Sequence, residues 1–192
     1  MATIDTIQAP THGPLFDEQK STELAAHMVL RCARRVQVWR LMAALYILDR
    51  RSIDAHGHAI TEDDYIALPG VAAVPHGLTV HALNPSYETM WHHHLELVGR
   101  DIQYLATPDR PMMPREIYKI AERIVSDYAH LDDRQFKLQY FSEAPEAFVT
   151  EQRLFTQEHV MIALGRDPEE AKSIYEEWNA ERRARHVRPH NM

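Results

Sequence analysis

The chain has 192 residues, of which 45% are apolar and 26% charged, and its formal net charge is −7. These values predict one globular domain with tails, large enough to bury a core without disulfide bridges. They argue against an extended nucleic-acid-binding surface, which needs clustered lysines and arginines, and no apolar run is long enough to span a bilayer.

The amino-terminal part of the chain predicts an arm followed by two helices. Residues 1–16 contain prolines and a glycine without apolar periodicity, so we expect a flexible arm, and they lack the features of a signal peptide. Asp17 is placed to cap the first helix, which carries Cys32 on its apolar face. As the only cysteine, Cys32 indicates a small buried side chain in a reducing, cytoplasmic protein. Residues 36–55 predict a second helix with the broad apolar stripe of a core helix.

The middle of the chain predicts turns and one hairpin. Gly57 ends the second helix, and residues 60–68 form a short segment in which Thr61 can cap a turn. Prolines and glycines predict a loop over 68–77. A weakly helical segment over 78–90 is broken at Asn84 and Pro85. Alternation of apolar and polar residues on both sides of Gly99 predicts a β-hairpin over 95–105.

The carboxy-terminal part predicts further helices. Pro168 follows Asp167, an arrangement typical of a helix start. The fold class predicted is mostly α (α+β), a compact helical domain over 17–180 with one small antiparallel β-hairpin, followed by a basic tail over 181–192. The expected helices cover residues 117–128, 132–141, 158–164 and 168–185.

His92, His93 and His94 form a run of potential metal ligands in a chain with 13 histidines. Glu88 and His92 have the spacing of two ligands on a helix, whereas His92 and His94 have the spacing of two ligands on a strand. No HExxH motif or CxxC pair completes either set. We therefore expect no metal, and keep as an alternative a metal-dependent enzyme that uses Glu88, His92 and His94.

Other catalytic patterns are missing from the sequence. There is no GxSxG motif, and the six glycines include no phosphate-binding loop. The carboxylate pairs Asp63-Asp64 and Asp132-Asp133 lie where helix caps are expected, so we interpret both as structural. The sequence thus predicts no catalytic residue, no cofactor and no enzyme.

Asp49 and Arg50 form a charged pair beside the apolar face of the second helix. One interpretation is an ion pair that locks the following loop, where its role would be specificity of arrangement. The other is that one of the two side chains points into a partner groove. Both interpretations stay open at the level of sequence.

The segment that contains this pair resembles the Panacea (SocA-like, phage-associated antitoxin) domain. Residues 40–50, RLMAALYILDR, keep the leucine, tyrosine, aspartate and arginine of the family pattern K-L-x-K-L-L-Y-x-A-D-R. Residues 56–67, HGHAITEDDYIA, are similar to its R-x-G-x-P-I-T-x-D-x-Y-x-A pattern. Residues 113–148 resemble a later part of the family, with Phe148 in the place of a tryptophan. Residues 69–75 depart from the family's G-P-V element.

The resemblance implies a protein-binding function. It implies an antitoxin-like module that neutralises a cognate protein toxin by direct contact, or an adaptor that also engages a protease or chaperone. A third possibility is a mobile-element regulatory protein that retains the fold. No membrane or nucleic-acid partner is expected. The expected partner-binding residues, chosen by polarity and loop placement, are Asp49, Arg50, Tyr65, His76, Trp91, His92, His93 and His94.

Overall fold

A computed structural model describes residues 16–84, 90–107 and 113–187 of the chain. Within these ranges, eight helices and two three-stranded antiparallel sheets confirm the predicted α+β class with mostly helical content. The arm expected over 1–16 lies outside the described residues except for Phe16, and so do the last five residues of the tail. The described part contains no helix that is both long and apolar enough to span a membrane.

The elements follow one another along the chain with short connections. The helices are α1 Glu18–Arg31, α2 Val38–His56, α3 His76–Leu83, α4 Met90–His94, α5 Arg115–Tyr128, α6 Asp133–Glu143, α7 Gln157–Ala163 and α8 Pro168–Val187. The strands are β1 Arg35–Gln37, β2 Tyr65–Leu68, β3 Ala72–Pro75, β4 Leu95–Val98, β5 Asp101–Tyr104 and β6 Arg153–Phe155.

Helix α2 is the central element of the core, as its apolar stripe predicts. Twelve of its 19 residues are buried, and it packs against helices α1, α5, α6 and α7 and strand β3. It ends at Gly57, whose φ of 82° is in the left-handed region that glycine adopts without a Cβ penalty. The cap predicted for α1 is also present, because the Asp17 carboxylate accepts the Lys20 N–H at 3.0 Å.

The predicted hairpin forms the larger part of the first sheet. Strands β4 and β5 pair antiparallel around Gly99, and Leu97 lies opposite Ile102. Strand β1, which sequence patterning did not identify, adds to the other edge of β5 and gives the order β1-β5-β4. A strand of three residues is too short for its alternation to be recognised.

The second sheet, in the order β3-β2-β6, corrects the loop predicted over 68–77. Strand β3 pairs with β2 so that Pro75 lies opposite Tyr65 at the strand end, where a missing N–H is tolerated. All four residues of each of these strands are buried. The outer edge of β3 is closed by Tyr140, whose hydroxyl accepts the Ala73 N–H at 2.9 Å and donates to the Ala73 carbonyl at 3.0 Å.

Local capping explains where the carboxy-terminal helices begin. Asp132 accepts the Gln135 N–H at 2.8 Å, and the Gln135 side chain accepts the Asp132 N–H at 3.1 Å, which together form a capping box for α6. Asp167 accepts the N–H groups of Glu169 and Glu170, and Pro168 is the first residue of α8. The structural interpretation of Asp132-Asp133 and the predicted start at Pro168 are confirmed.

Candidate functional site

The connection between α2 and β2 is built around a buried carboxylate, Asp49. Its Oδ1 accepts the backbone N–H groups of Ile60 at 2.8 Å and Thr61 at 2.9 Å. Its Oδ2 accepts the Thr61 hydroxyl and, at 3.2 Å, the Tyr65 hydroxyl. Asp49 thereby fixes the chain between α2 and β2. This confirms that the residue locks the loop that follows α2, as the first interpretation of the Asp49-Arg50 pair expected.

Arg50 does not pair with Asp49, so the predicted ion pair between these neighbours is wrong. Its Nε donates instead to Glu146 Oε1 at 2.7 Å, and the Tyr46 hydroxyl donates to the same oxygen at 2.7 Å. The side chains of Arg50 and Glu146 are only 13% and 10% exposed. Glu146 follows α6 and is 96 residues from Arg50 in sequence, so no local pattern could reveal this partner.

Asp63 and Asp64, which precede β2, link this part of the chain to α3 and α8. Asp63 accepts the N–H groups of Gly77 at 3.1 Å and Leu78 at 2.9 Å, and thereby caps α3. The Asp64 carbonyl accepts the His76 N–H at 2.8 Å, and its carboxylate accepts the Tyr175 hydroxyl of α8 at 3.2 Å. The capping role predicted for this pair is therefore real, although the capped helix begins 13 residues later.

Burial changes the protonation of these carboxyls. Burial raises the pKa of Asp49 to about 6 and that of Asp63 to about 7, despite the hydrogen bonds that each accepts. The pKa of Asp64 is also raised by burial, which the cation of Arg182 partly offsets. Arg182 is 1% exposed, and its guanidinium lies 4.2 Å from the centre of the Trp178 ring. This buried group of charges fastens α8 to the rest of the fold.

Four of the residues expected to bind a partner lie inside the protein. Asp49, Tyr65 and Trp91 are each 0% exposed, and His76 is only 8% exposed. Tyr65 packs edge-to-face on Tyr46, with ring centres 5.0 Å apart. Their burial is the physical reason that these side chains cannot contact a partner at the surface, which corrects that expectation.

The histidine run lies at the end of α4 and immediately before β4. His93 is exposed, and His92 and His94 are half-buried; His94 Nδ1 lies 3.1 Å from the carbonyl oxygen of Ala106. Glu88 lies outside the described residues. Among the residues that the structure describes, no group of three or more His, Cys, Asp or Glu side chains is arranged to hold a metal ion.

The segment before α7 presents two large apolar side chains to solvent. Phe148 is 65% exposed and packs edge-to-face on Phe141, whereas Leu154 is 62% exposed on strand β6. Sequence reasoning missed Leu154, because a strand of three residues shows too little alternation to distinguish its exposed and buried faces. The exposed side chains of Phe148 and Leu154 are the accessible apolar sites of this segment.

Within the described ranges, no other strand pairs with the outer edge of β6, which is therefore an open edge. Along an antiparallel strand, the backbone N–H and C=O groups of successive residues point alternately to its two sides. The groups of Ala73 point toward Tyr140, so those of Ile66 point toward β3. Tyr65 and Ala67 consequently pair with β6. Leu154, opposite Ile66, therefore directs its N–H and carbonyl away from the sheet. Such an edge can pair with an added strand.

No family model, no curated protein and no solved structure matches the chain.

Proposed function

We propose that this protein is an antitoxin-like binding module that neutralises a cognate protein toxin by direct contact. The observation that carries the proposal is the open edge of β6, where outward-facing backbone groups coincide with the exposed side chain of Leu154. Exposed edges accept an extended peptide through main-chain hydrogen bonds, and neighbouring side chains provide specificity. The resemblance of residues 40–67 to the Panacea domain supports an antitoxin as the class of binding module.

The charge of the chain supports a basic partner. The formal net charge is −7, and complementary charge accelerates encounter and suppresses wrong partners. Phe148 supplies an exposed aromatic side chain, the residue class that most often anchors protein interfaces. We infer that an extended segment of a basic toxin pairs with β6 and is held by contacts with Leu154 and Phe148.

Co-expression with the product of the neighbouring open reading frame tests this function. We expect that product to stop growth alone and the protein described here to restore it. Phe148→Asp and Leu154→Asp should abolish the rescue, whereas Val98→Asp, an exposed apolar position on the β4–β5 hairpin, should retain it. A neighbour that is harmless alone, or remains toxic in the presence of this protein, contradicts the proposal.

A pair of variants at Leu154 separates backbone pairing from side-chain contact. Leu154→Pro removes the outward N–H, and proline is tolerated on edge strands. Leu154→Ala removes the apolar side chain but keeps the N–H. We expect the proline variant to weaken toxin binding more than the alanine variant, as measured by titration calorimetry with both variants shown to be folded. The reverse order refutes strand pairing at β6.

A further inference from the structure

An apolar cavity opens on the side of the molecule where α1, α2 and α5 converge. Its volume is about 630 Å³, within the range of about 300–1,000 Å³ that is typical of small-molecule sites. The buried side chains of Met28, Leu41, Ile124 and Phe136 line it. The proposed function does not involve this cavity.

Arg40 is the cationic group at the inner wall of the cavity. Its side chain is 16% exposed, and its guanidinium lies 4.8 Å from the centre of the Phe136 ring. Through Nη2 it donates to the carbonyls of Tyr128 at 3.1 Å and Leu131 at 2.7 Å. Nη1 lies 3.7 Å from the exposed carboxylate of Asp133, beyond hydrogen-bond distance.

The guanidinium therefore has hydrogen-bonding capacity left over. Arginine carries five N–H donors, and the described residues supply hydrogen-bond acceptors only to Nη2 of Arg40. Nε and Nη1 of Arg40 are thus available to an acceptor that enters the cavity. An anionic oxygen placed near either nitrogen would accept a hydrogen bond from it and would lie beside a positive charge.

The turn that forms one wall of the cavity is strained. Ala33 and Arg34 have φ values of 56° and 67°, in the left-handed region that side-chain-bearing residues rarely adopt. Strained residues of this kind persist where the surrounding structure holds them, and they cluster at ligand-binding sites. Ala33 and the half-buried Cys32 both line the cavity.

We propose that the cavity binds a small monocarboxylate with an apolar body. The carboxylate accepts hydrogen bonds from Nε or Nη1 of Arg40, and the apolar body lies against Met28, Leu41 and Ile124. Arg31 and Arg35 also line the cavity, but their guanidiniums are paired with Glu122 and Asp101 at 2.6 Å. The selectivity for an anion therefore depends on Arg40.

Octanoate and the neutral octanamide are suitable probes, since they differ mainly in charge. By titration calorimetry with the full chain, we expect octanoate to bind on the order of tenfold more tightly than octanamide. This difference corresponds to the contribution of one charge-assisted hydrogen bond. Equal affinities for the two probes overturn the proposal. A dissociation constant for octanoate above about 10 mM also overturns the proposal. A ligand of this size should bind more tightly than that even when each of its non-hydrogen atoms contributes only modestly to the binding free energy.

Two variants locate the site. Val125→Trp places a large side chain in the cavity from α5 and should abolish octanoate binding, whereas Ile117→Trp, a half-buried position on the same helix outside the lining, should leave it unchanged. Arg40→Gln should remove the preference for octanoate over octanamide; because Arg40 also holds the end of α5, its folding is checked by circular dichroism. Unchanged octanoate binding by the Val125→Trp variant refutes the cavity as the site.

Cys32 provides an independent reporter, because it is the only cysteine of the chain and lines the cavity. Its backbone N–H closes α1 by donating to the carbonyls of Met28 and Val29, so its position is fixed. We expect octanoate, but not octanamide at the same concentration, to slow alkylation of Cys32 by iodoacetamide, as followed by mass spectrometry. An alkylation rate that saturating octanoate does not change contradicts occupancy of the cavity.

Discussion

Replacing Asp49 removes the acceptor on which the α2–β2 connection depends. The carboxyl is fully buried and accepts from four donors, two of which are the backbone N–H groups of Ile60 and Thr61. Alanine leaves all four without this acceptor. Asparagine keeps an oxygen for the two backbone groups, and the hydroxyls of Thr61 and Tyr65 can rotate to accept from its amide. The two variants therefore differ in the number of buried donors that are left without a hydrogen-bond acceptor.

The expected magnitudes follow from the cost of a buried unsatisfied donor, about 1–3 kcal/mol. If each of the four donors that lose their acceptor costs about 1 kcal/mol, Asp49→Ala should lower the free energy of unfolding by about 4 kcal/mol at pH 5. Asp49→Asn should cost about 1 kcal/mol at that pH, because asparagine resembles the protonated acid and the pKa of Asp49 is about 6.

The pH dependence gives a second measure of the same site. The folded-state pKa of about 6 is above the ordinary value of 3.8, so the stability that this proton contributes is complete below pH 3.8 and is lost as the pH rises through 6. Between pH 5 and pH 8, the wild type should lose about 1.4 kcal/mol relative to Asp49→Asn. Urea denaturation followed by circular dichroism at both pH values measures these differences. Equal destabilisation by alanine and asparagine would refute the role assigned to the four hydrogen bonds.

Three further predictions concern neighbouring positions, each measured by urea denaturation. Because burial raises the pKa of Asp63 to about 7, the wild type should lose about 2.5 kcal/mol relative to Asp63→Asn from pH 5 to pH 8; a constant difference would contradict this. Gly77→Ala places a Cβ 2.7 Å from the Phe16 ring, so it should destabilise by about 1–3 kcal/mol, and the double variant with Phe16→Leu should recover part of the loss. Gly57→Ala, at a φ of 82°, should cost about 1 kcal/mol, and no loss would argue against the left-handed conformation.

The helices could be predicted because the signals that define them are local. The stripe of α2, the stop at Gly57 and the caps at Asp17 and Asp132 each act within a few residues. The β4–β5 hairpin was predictable for the same reason, since its alternation and its glycine turn are adjacent in sequence. Periodicity and capping therefore account for the helical part of the fold.

The second sheet and the buried polar network could not be predicted because their partners are distant. Strand β3 depends on Tyr140, 67 residues away, to satisfy its outer edge, and the prolines and glycines over residues 68–77 indicated a loop. Asp63 caps a helix whose amides lie 14 and 15 residues further along the chain. A periodic pattern in the sequence does not indicate a partner at such sequence separations, so these contacts can be identified only from the tertiary structure.

Residues that carry the resemblance noted in the sequence lie in the core of the protein. The aspartate, threonine and tyrosine of the family pattern correspond to Asp49, Thr61 and Tyr65, which hydrogen-bond to one another inside the protein and are 0% exposed. Residues in such a network are constrained by the fold, since each loses its partners when another changes. In the proposed function, the choice of partner depends instead on accessible groups, among them the exposed apolar side chains of Phe148 and Leu154. Substitutions at Asp49 should therefore reduce the proposed toxin binding only as far as they unfold the protein, whereas Leu154→Pro should reduce it in a protein that remains folded.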